Sequence, residues 1–133
     1  MPQTIALVDD DRNILTSVSM TLEQEGYQVR TYTDGESALQ SLLARPPDLA
    51  VLDIKMPRMD GLEVLRAIRS DETLKALPVV ILSSSREESD LVRSWDLGAN
   101  AYVVKPVDID QFFTAVKALG TFWAVFNEAP GQA

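Results

Sequence analysis

Five short runs of apolar residues punctuate the chain, at roughly 4–9, 28–32, 48–53, 78–83 and 101–105, each of strand length and too short for a typical helix. Four of them, Ile5-Ala6-Leu7-Val8, Leu49-Ala50-Val51-Leu52, Val79-Val80-Ile81-Leu82 and Tyr102-Val103-Val104, are apolar throughout. Unbroken apolar runs predict parallel strands covered on both faces. Gln28-Val29-Arg30-Thr31-Tyr32 alternates instead, which predicts an edge strand. Helical-period segments fill the intervals. The first helix is expected from about Arg12 to Glu25, with Ile14, Leu15, Val18 and Leu22 as its apolar stripe and Gly26 just beyond. Asp34 caps a second helix running to about Ala44, a third covers about Leu62–Arg69, a fourth about Arg86–Leu97, and a fifth starts near Asp108. Strand and helix alternate five times, so the expected fold is α/β, one doubly wound domain around a five-stranded parallel sheet, (βα)5.

Size and composition leave room for little else. The chain has 133 residues, 46% of them hydrophobic, enough for one core and too few for two full domains. Cysteine and histidine are both absent, which removes disulfides, thiolate metal sites, zinc-type ligation and histidine acid–base catalysis. The net charge of −8 disfavours direct nucleic-acid binding and anionic membrane surfaces, since both are gripped by clustered Lys and Arg. No signal peptide or membrane span is legible at Met-Pro-Gln-Thr or beyond, so the expected location is cytoplasmic.

Chemistry gathers where the runs end. Asp9-Asp10-Asp11 follows the first run, Asp53 the third, Ser83-Ser84-Ser85 the fourth and Lys105 the last. Open α/β sheets bind ligands beyond the carboxyl ends of their strands, so these distant residues are expected to meet at one site. Carboxylates, a hydroxyl and an ammonium together suit a divalent cation and a phosphoryl group. Crowded carboxylates repel, and Mg2+, which prefers oxygen donors, relieves that conflict. Asp11 reads as a solvated acid at a helix start.

Taken together, Val8-Asp9-Asp10, Asp53 with Met56-Pro57 and Met59-Asp60-Gly61, Ser83, and Tyr102-Val103-Val104-Lys105-Pro106 resemble the receiver domain of two-component response regulators, over about residues 3–119. The resemblance implies flavodoxin-like strand order 2-1-3-4-5. It further implies that Asp53 is the phosphoacceptor, taking its phosphoryl group from a phosphohistidine of a sensor histidine kinase. Asp10 and Asp53 would be direct Mg2+ ligands, Asp9 a ligand partly through water, and the main-chain carbonyl of Lys55 a further oxygen. Lys105 would pair with Asp53 and then with the phosphoryl oxygens, across a Lys105-Pro106 bond that is often cis in the family. Ser83, preferred over Ser84 and Ser85, would be the switch hydroxyl, and Tyr102 the aromatic that moves with it. The readout surface would be the fourth helix, fifth strand and fifth helix, including Arg93, Trp95, Asp96 and Lys117. Such a domain is not an enzyme in the usual sense, although it assists its own phosphorylation and dephosphorylation.

Residues 1–119 are thus expected to form the receiver domain and 120–133 an apolar extension with a disordered end. The aromatic stretch Gly120-Thr121-Phe122-Trp123 looks like stand-alone receivers of phytochrome-type histidine kinases, in which such residues cover the domain or form a homodimer. The first half looks more like receivers of DNA-binding regulators, so a fusion of two receiver homologues is an alternative. No output domain follows, which fits a stand-alone receiver or a piece of a longer protein. A magnesium-dependent aspartyl phosphatase is the enzyme alternative, but it would carry an acid two residues after the nucleophile, where Lys55 stands. A flavin-binding domain of the same strand order would not tolerate Asp9-Asp10-Asp11 in its phosphate loop.

Overall fold

Apolar strands that cannot face water on either side need helices on both, and that requirement organises the molecule. The computed structural model describes residues 3–94 and 97–118. Strands β1 (Thr4–Val8), β2 (Gln28–Tyr32), β3 (Leu49–Asp53), β4 (Val79–Ser83) and β5 (Ala101–Val104) alternate with helices α1 (Arg12–Gln24), α2 (Gly35–Ala44), α3 (Gly61–Ser70), α4 (Arg86–Ser94) and α5 (109–118). All strand pairs are parallel, in the order β2-β1-β3-β4-β5. The strand order expected from the resemblance is therefore observed, with β2 at an edge.

The two-residue period of the strands sorts the core into two layers. Ile5, Leu7, Val51, Val80 and Leu82 face α1 and α5, packing on Leu15, Val18, Leu22, Phe112 and Val116. Ala6, Val8, Ala50, Leu52, Val79 and Ile81 face the other way, onto Ala38 and Leu42 of α2, Val64, Leu65 and Ile68 of α3, and Val92 of α4. Ile14 of the expected stripe lies at the margin of the first layer. Helix starts follow their caps: Asp11 accepts from Asn13 N, Asp34 from Ser37 N, Asp60 from Glu63 N and Asp108 from Gln111 N.

Several boundaries differ from the expectation by a residue or so: Asp9, Asp48, Pro78 and Lys105 flank their strands and still bond a neighbouring strand through the backbone. The fourth helix is described to Ser94, and Leu97 is already irregular, followed by Gly98 at φ +89°. Arg69 secures this lower end of the sheet. Its guanidinium donates to Gly98 O at 2.6 and 3.0 Å, Leu77 O at 2.8 Å and Asn100 Oδ1 at 3.1 Å, joining α3 to the segments that feed β4 and β5. Among the described residues no helix is long and apolar enough to cross a membrane.

Candidate phosphoryl-acceptor site

At the opposite end, the carboxyl ends of β1, β3, β4 and β5 come together because neighbouring parallel strands finish in register: Val8 beside Leu52, Asp53 beside Leu82, Ser83 beside Val104. Asp9 continues β1 by donating its N–H to Tyr32 O at 3.1 Å, and Lys105 continues β5 by donating to Ser83 O at 2.7 Å. The Lys105-Pro106 peptide bond is cis. Each chemical group is thus carried on a rigid strand end.

Asp9, Asp10 and Asp53 each bring a carboxylate oxygen to within 4.8 Å of the others. Asp9 and Asp53 are buried, whereas Asp10 is exposed. The Lys105 ammonium lies 2.9 Å from Asp9 Oδ2 and 3.3 Å from Asp53 Oδ1, bridging the two buried acids. Burial, reinforced by the charge of Asp9, pushes the Asp53 carboxyl up to about 7 despite Lys105. Burial alone would lower the Lys105 ammonium, but the two carboxylates outweigh it and raise its pKa. Hard oxygen donors at this spacing, with more negative than positive charge, fit a small divalent cation such as Mg2+. No thiolate or imidazole competes, since the chain has no cysteine and no histidine.

Ser83 closes β4 with its side chain fully buried, and its Oγ has no hydrogen-bond partner among the described residues. Ser84 and Ser85 are exposed and serve the start of α4 instead. Tyr102 is half-buried on β5 against the α2–α4 layer. Asp11 is the exposed cap of α1 and stands outside the carboxylate cluster. Trp95 and residues 119–133, with the extension and its aromatic stretch, lie outside the described residues.

The loop after Asp53 requires a glycine where it meets α3. A Cβ on Gly61 would come 2.1 Å from the Asp53 carbonyl oxygen, so only glycine lets α3 begin against the acceptor's backbone. Asp60 and Glu63 form a reciprocal capping box that fixes that start. Beside it a groove of about 680 Å³, lined by Asp10, Ile54, Lys55, Met56, Pro57 and Asp60, opens next to the cluster. Sequence reasoning did not single out Glu88. Its signal was present as Ser85-Arg86-Glu87-Glu88, the Ser-x-x-Glu pattern of a helix start.

The comparisons agree with this geometry. Among curated relatives, the alkaline phosphatase synthesis transcriptional regulatory protein PhoP of Bacillus subtilis (strain 168) is 38% identical over 119 residues, covering 90% of this chain and 49% of PhoP. The chain therefore spans about half the length of such relatives. Among solved structures, the bacteriophytochrome response regulator RtBRR is 45% identical with a TM-score of 0.82, covering 98% of this chain and 86% of that one. The bacteriophytochrome response regulator AtBRR is 44% identical with a TM-score of 0.81, covering 96% and 99%. One solved protein thus matches both halves of the sequence, and a fusion of two homologues is not favoured. The model of the response regulator receiver domain family matches residues 5–117. With that match resting on a sheet whose strand ends assemble three aspartates and a lysine, the chain belongs to the receiver domain family of two-component response regulators.

Proposed function

We propose that Asp53 accepts a phosphoryl group from a phosphohistidine of a sensor histidine kinase, and that Asp9, Asp10, Lys105 and Ser83 serve that transfer. One observation carries the reading: the Asp53 carboxylate is held 3.3 Å from the Lys105 ammonium and within ligand spacing of two further carboxylates, beside an open groove. Receiver domains are phosphoacceptors rather than turnover enzymes. In the transfer an Asp53 oxygen forms a bond to phosphorus as the donor's N–P bond breaks, and the imidazole leaves with the electron pair and takes a proton from solvent. An ionised carboxylate needs no base for this step.

Asp10 and Asp53 would hold Mg2+ directly, with Asp9 acting partly through water and the Lys55 main-chain carbonyl completing the protein's share. The bound cation supplies neutralisation for charge on the acceptor and the phosphoryl group. Lys105 then exchanges carboxylate for phosphoryl oxygens as partners, contributing a compact charge on a flexible stem. Ser83 holds a buried hydroxyl whose hydrogen-bonding capacity is unused, and a phosphoryl oxygen on Asp53 is a natural acceptor for it. Its inward movement would let Tyr102 turn and alter the surface formed by α4, β5 and α5. Receiver-type assistance of its own dephosphorylation fits the same groups.

The surface so altered is the proposed site of partner binding or homodimerisation, with residues 120–133 as a second candidate contact. The net charge of −8 argues that this domain does not itself touch DNA, and a cytoplasmic location suits a kinase-fed receiver. Incubation with Mg2+ and 32P-labelled acetyl phosphate tests the reading. The expected result is one base-labile label per chain, absent from Asp53→Asn, without turnover of phosphoesters. Continuous release of phosphate from many phosphoesters would point instead to the aspartyl phosphatase.

A further inference from the structure

Glu88 lies in the first turn of α4, yet its carboxylate does more than close a helix end. Oε1 accepts from Ser84 N at 2.8 Å and from Ser84 Oγ at 3.2 Å, while Glu88 N donates to Ser85 Oγ at 3.1 Å. Those contacts fix the side chain over the turn that follows β4. The second oxygen, Oε2, reaches across to the ammonium of Lys55 at 3.4 Å. Lys55 stands two residues after Asp53 and lines the groove shared with Asp10 and Asp60. Its side chain is largely exposed, whereas that of Glu88 is only 18% exposed.

We infer that Glu88 is a positioning residue that tethers the Lys55 ammonium to the β4–α4 turn, cancelling the cation that lines the groove among the described residues and slowing entry of small anionic phosphodonors. This inference rests on Asp53 being the phosphoacceptor. The groove otherwise presents Asp10 and Asp60 to an incoming phosphate, so whether Lys55 is tethered or free decides the local sign of the field. A freed ammonium can follow the donor into the groove and meet its oxygens at close range. A tethered one remains paired. The arrangement would favour delivery by a protein kinase, which brings its own contacts, over adventitious labelling by metabolic phosphates.

The experiment compares rates of labelling by acetyl phosphate, a dianion, and phosphoramidate, a monoanion, in wild type, Glu88→Gln, Lys55→Met and the double variant. With acetyl phosphate an Asp53 oxygen bonds to phosphorus while the bond to the acetate oxygen breaks, and acetate leaves with the electron pair. With phosphoramidate the P–N bond breaks and ammonia leaves. Gln keeps an acceptor for Ser84, so the helix start is preserved while the charge is lost. Glu88→Gln should label with acetyl phosphate about fivefold faster at low ionic strength, less so with phosphoramidate, and the gain should shrink as salt is raised. In the Lys55→Met background the same change should alter the rate by less than about twofold. An unchanged rate in Glu88→Gln, or an equal gain with and without Lys55, overturns the inference. Absence of label from the wild type would instead overturn Asp53 as acceptor, which separates the two failures.

Discussion

Replacing Asp53 by Asn should stabilise the metal-free protein at alkaline pH and leave it nearly unchanged in acid. The cause is the carboxyl pushed from 3.8 to about 7 by burial and by Asp9. A carboxyl whose folded pKa lies above its unfolded one binds its proton more tightly when folded, so stability falls as pH rises between the two values and is constant above the upper one. At about 1.4 kcal/mol per pH unit the full penalty is about 4 kcal/mol. Solvent screening at the groove mouth reduces the net gain of Asp53→Asn to about 2 kcal/mol near pH 8, against about zero near pH 4. Urea unfolding of both proteins across that range, with EDTA present, measures the difference directly, and other titrating groups cancel in it. Addition of Mg2+ should close the gap by stabilising only the wild type, by roughly 1.4–2.7 kcal/mol at 10–100 times its dissociation constant. A difference that is flat with pH, or a variant less stable than wild type near pH 8, would refute the reasoning.

Three further outcomes follow from the same contacts. Lys105→Met leaves Asp9 and Asp53 buried without their shared cation and should cost about 2–4 kcal/mol near pH 8 in denaturant melts, much less near pH 4, where Asp53 is protonated. Ser83→Ala removes a buried hydroxyl that lacks a partner among the described residues, so unfolding should show no loss and up to about 1 kcal/mol of gain. Arg69→Ala breaks the bonds to Gly98, Leu77 and Asn100 far from the site, and should lower stability by about 2–4 kcal/mol without slowing labelling of Asp53 once folded.

The fold was legible because its signals are local. Apolar runs of strand length, helical stripes such as Leu15-Val18-Leu22, and caps at Asp34 and Asp108 each carry their own physics, and the sheet follows from their alternation. The site was legible for a different reason: strand ends converge in this architecture, so Asp9, Asp53, Ser83 and Lys105 could be brought together before any distance was known. What the sequence concealed depends on side chains meeting across loops. Lys55 and Glu88 are 33 positions apart in number and join only because the β3–α3 and β4–α4 loops face one groove. Arg69 enters the sequence pattern only as the end of the third helix, and its role appears only in space, where its guanidinium meets three backbone carbonyls and an asparagine. The apolar period of the fourth helix runs on to Leu97, but Leu97 itself is irregular and Gly98, at φ +89° and bonded by Arg69, leads the chain toward β5.

The most direct measurement maps the modified residue. After incubation with acetyl phosphate and Mg2+, borohydride reduction converts an acyl-phosphate aspartate to homoserine, and tandem mass spectrometry of the peptides locates it. The account predicts homoserine at residue 53 only, dependent on Mg2+ and strongly reduced in Lys105→Met. Homoserine at residues 9, 10 or 11, or a protein that stays unmodified with Mg2+ and phosphodonor in excess, would contradict it.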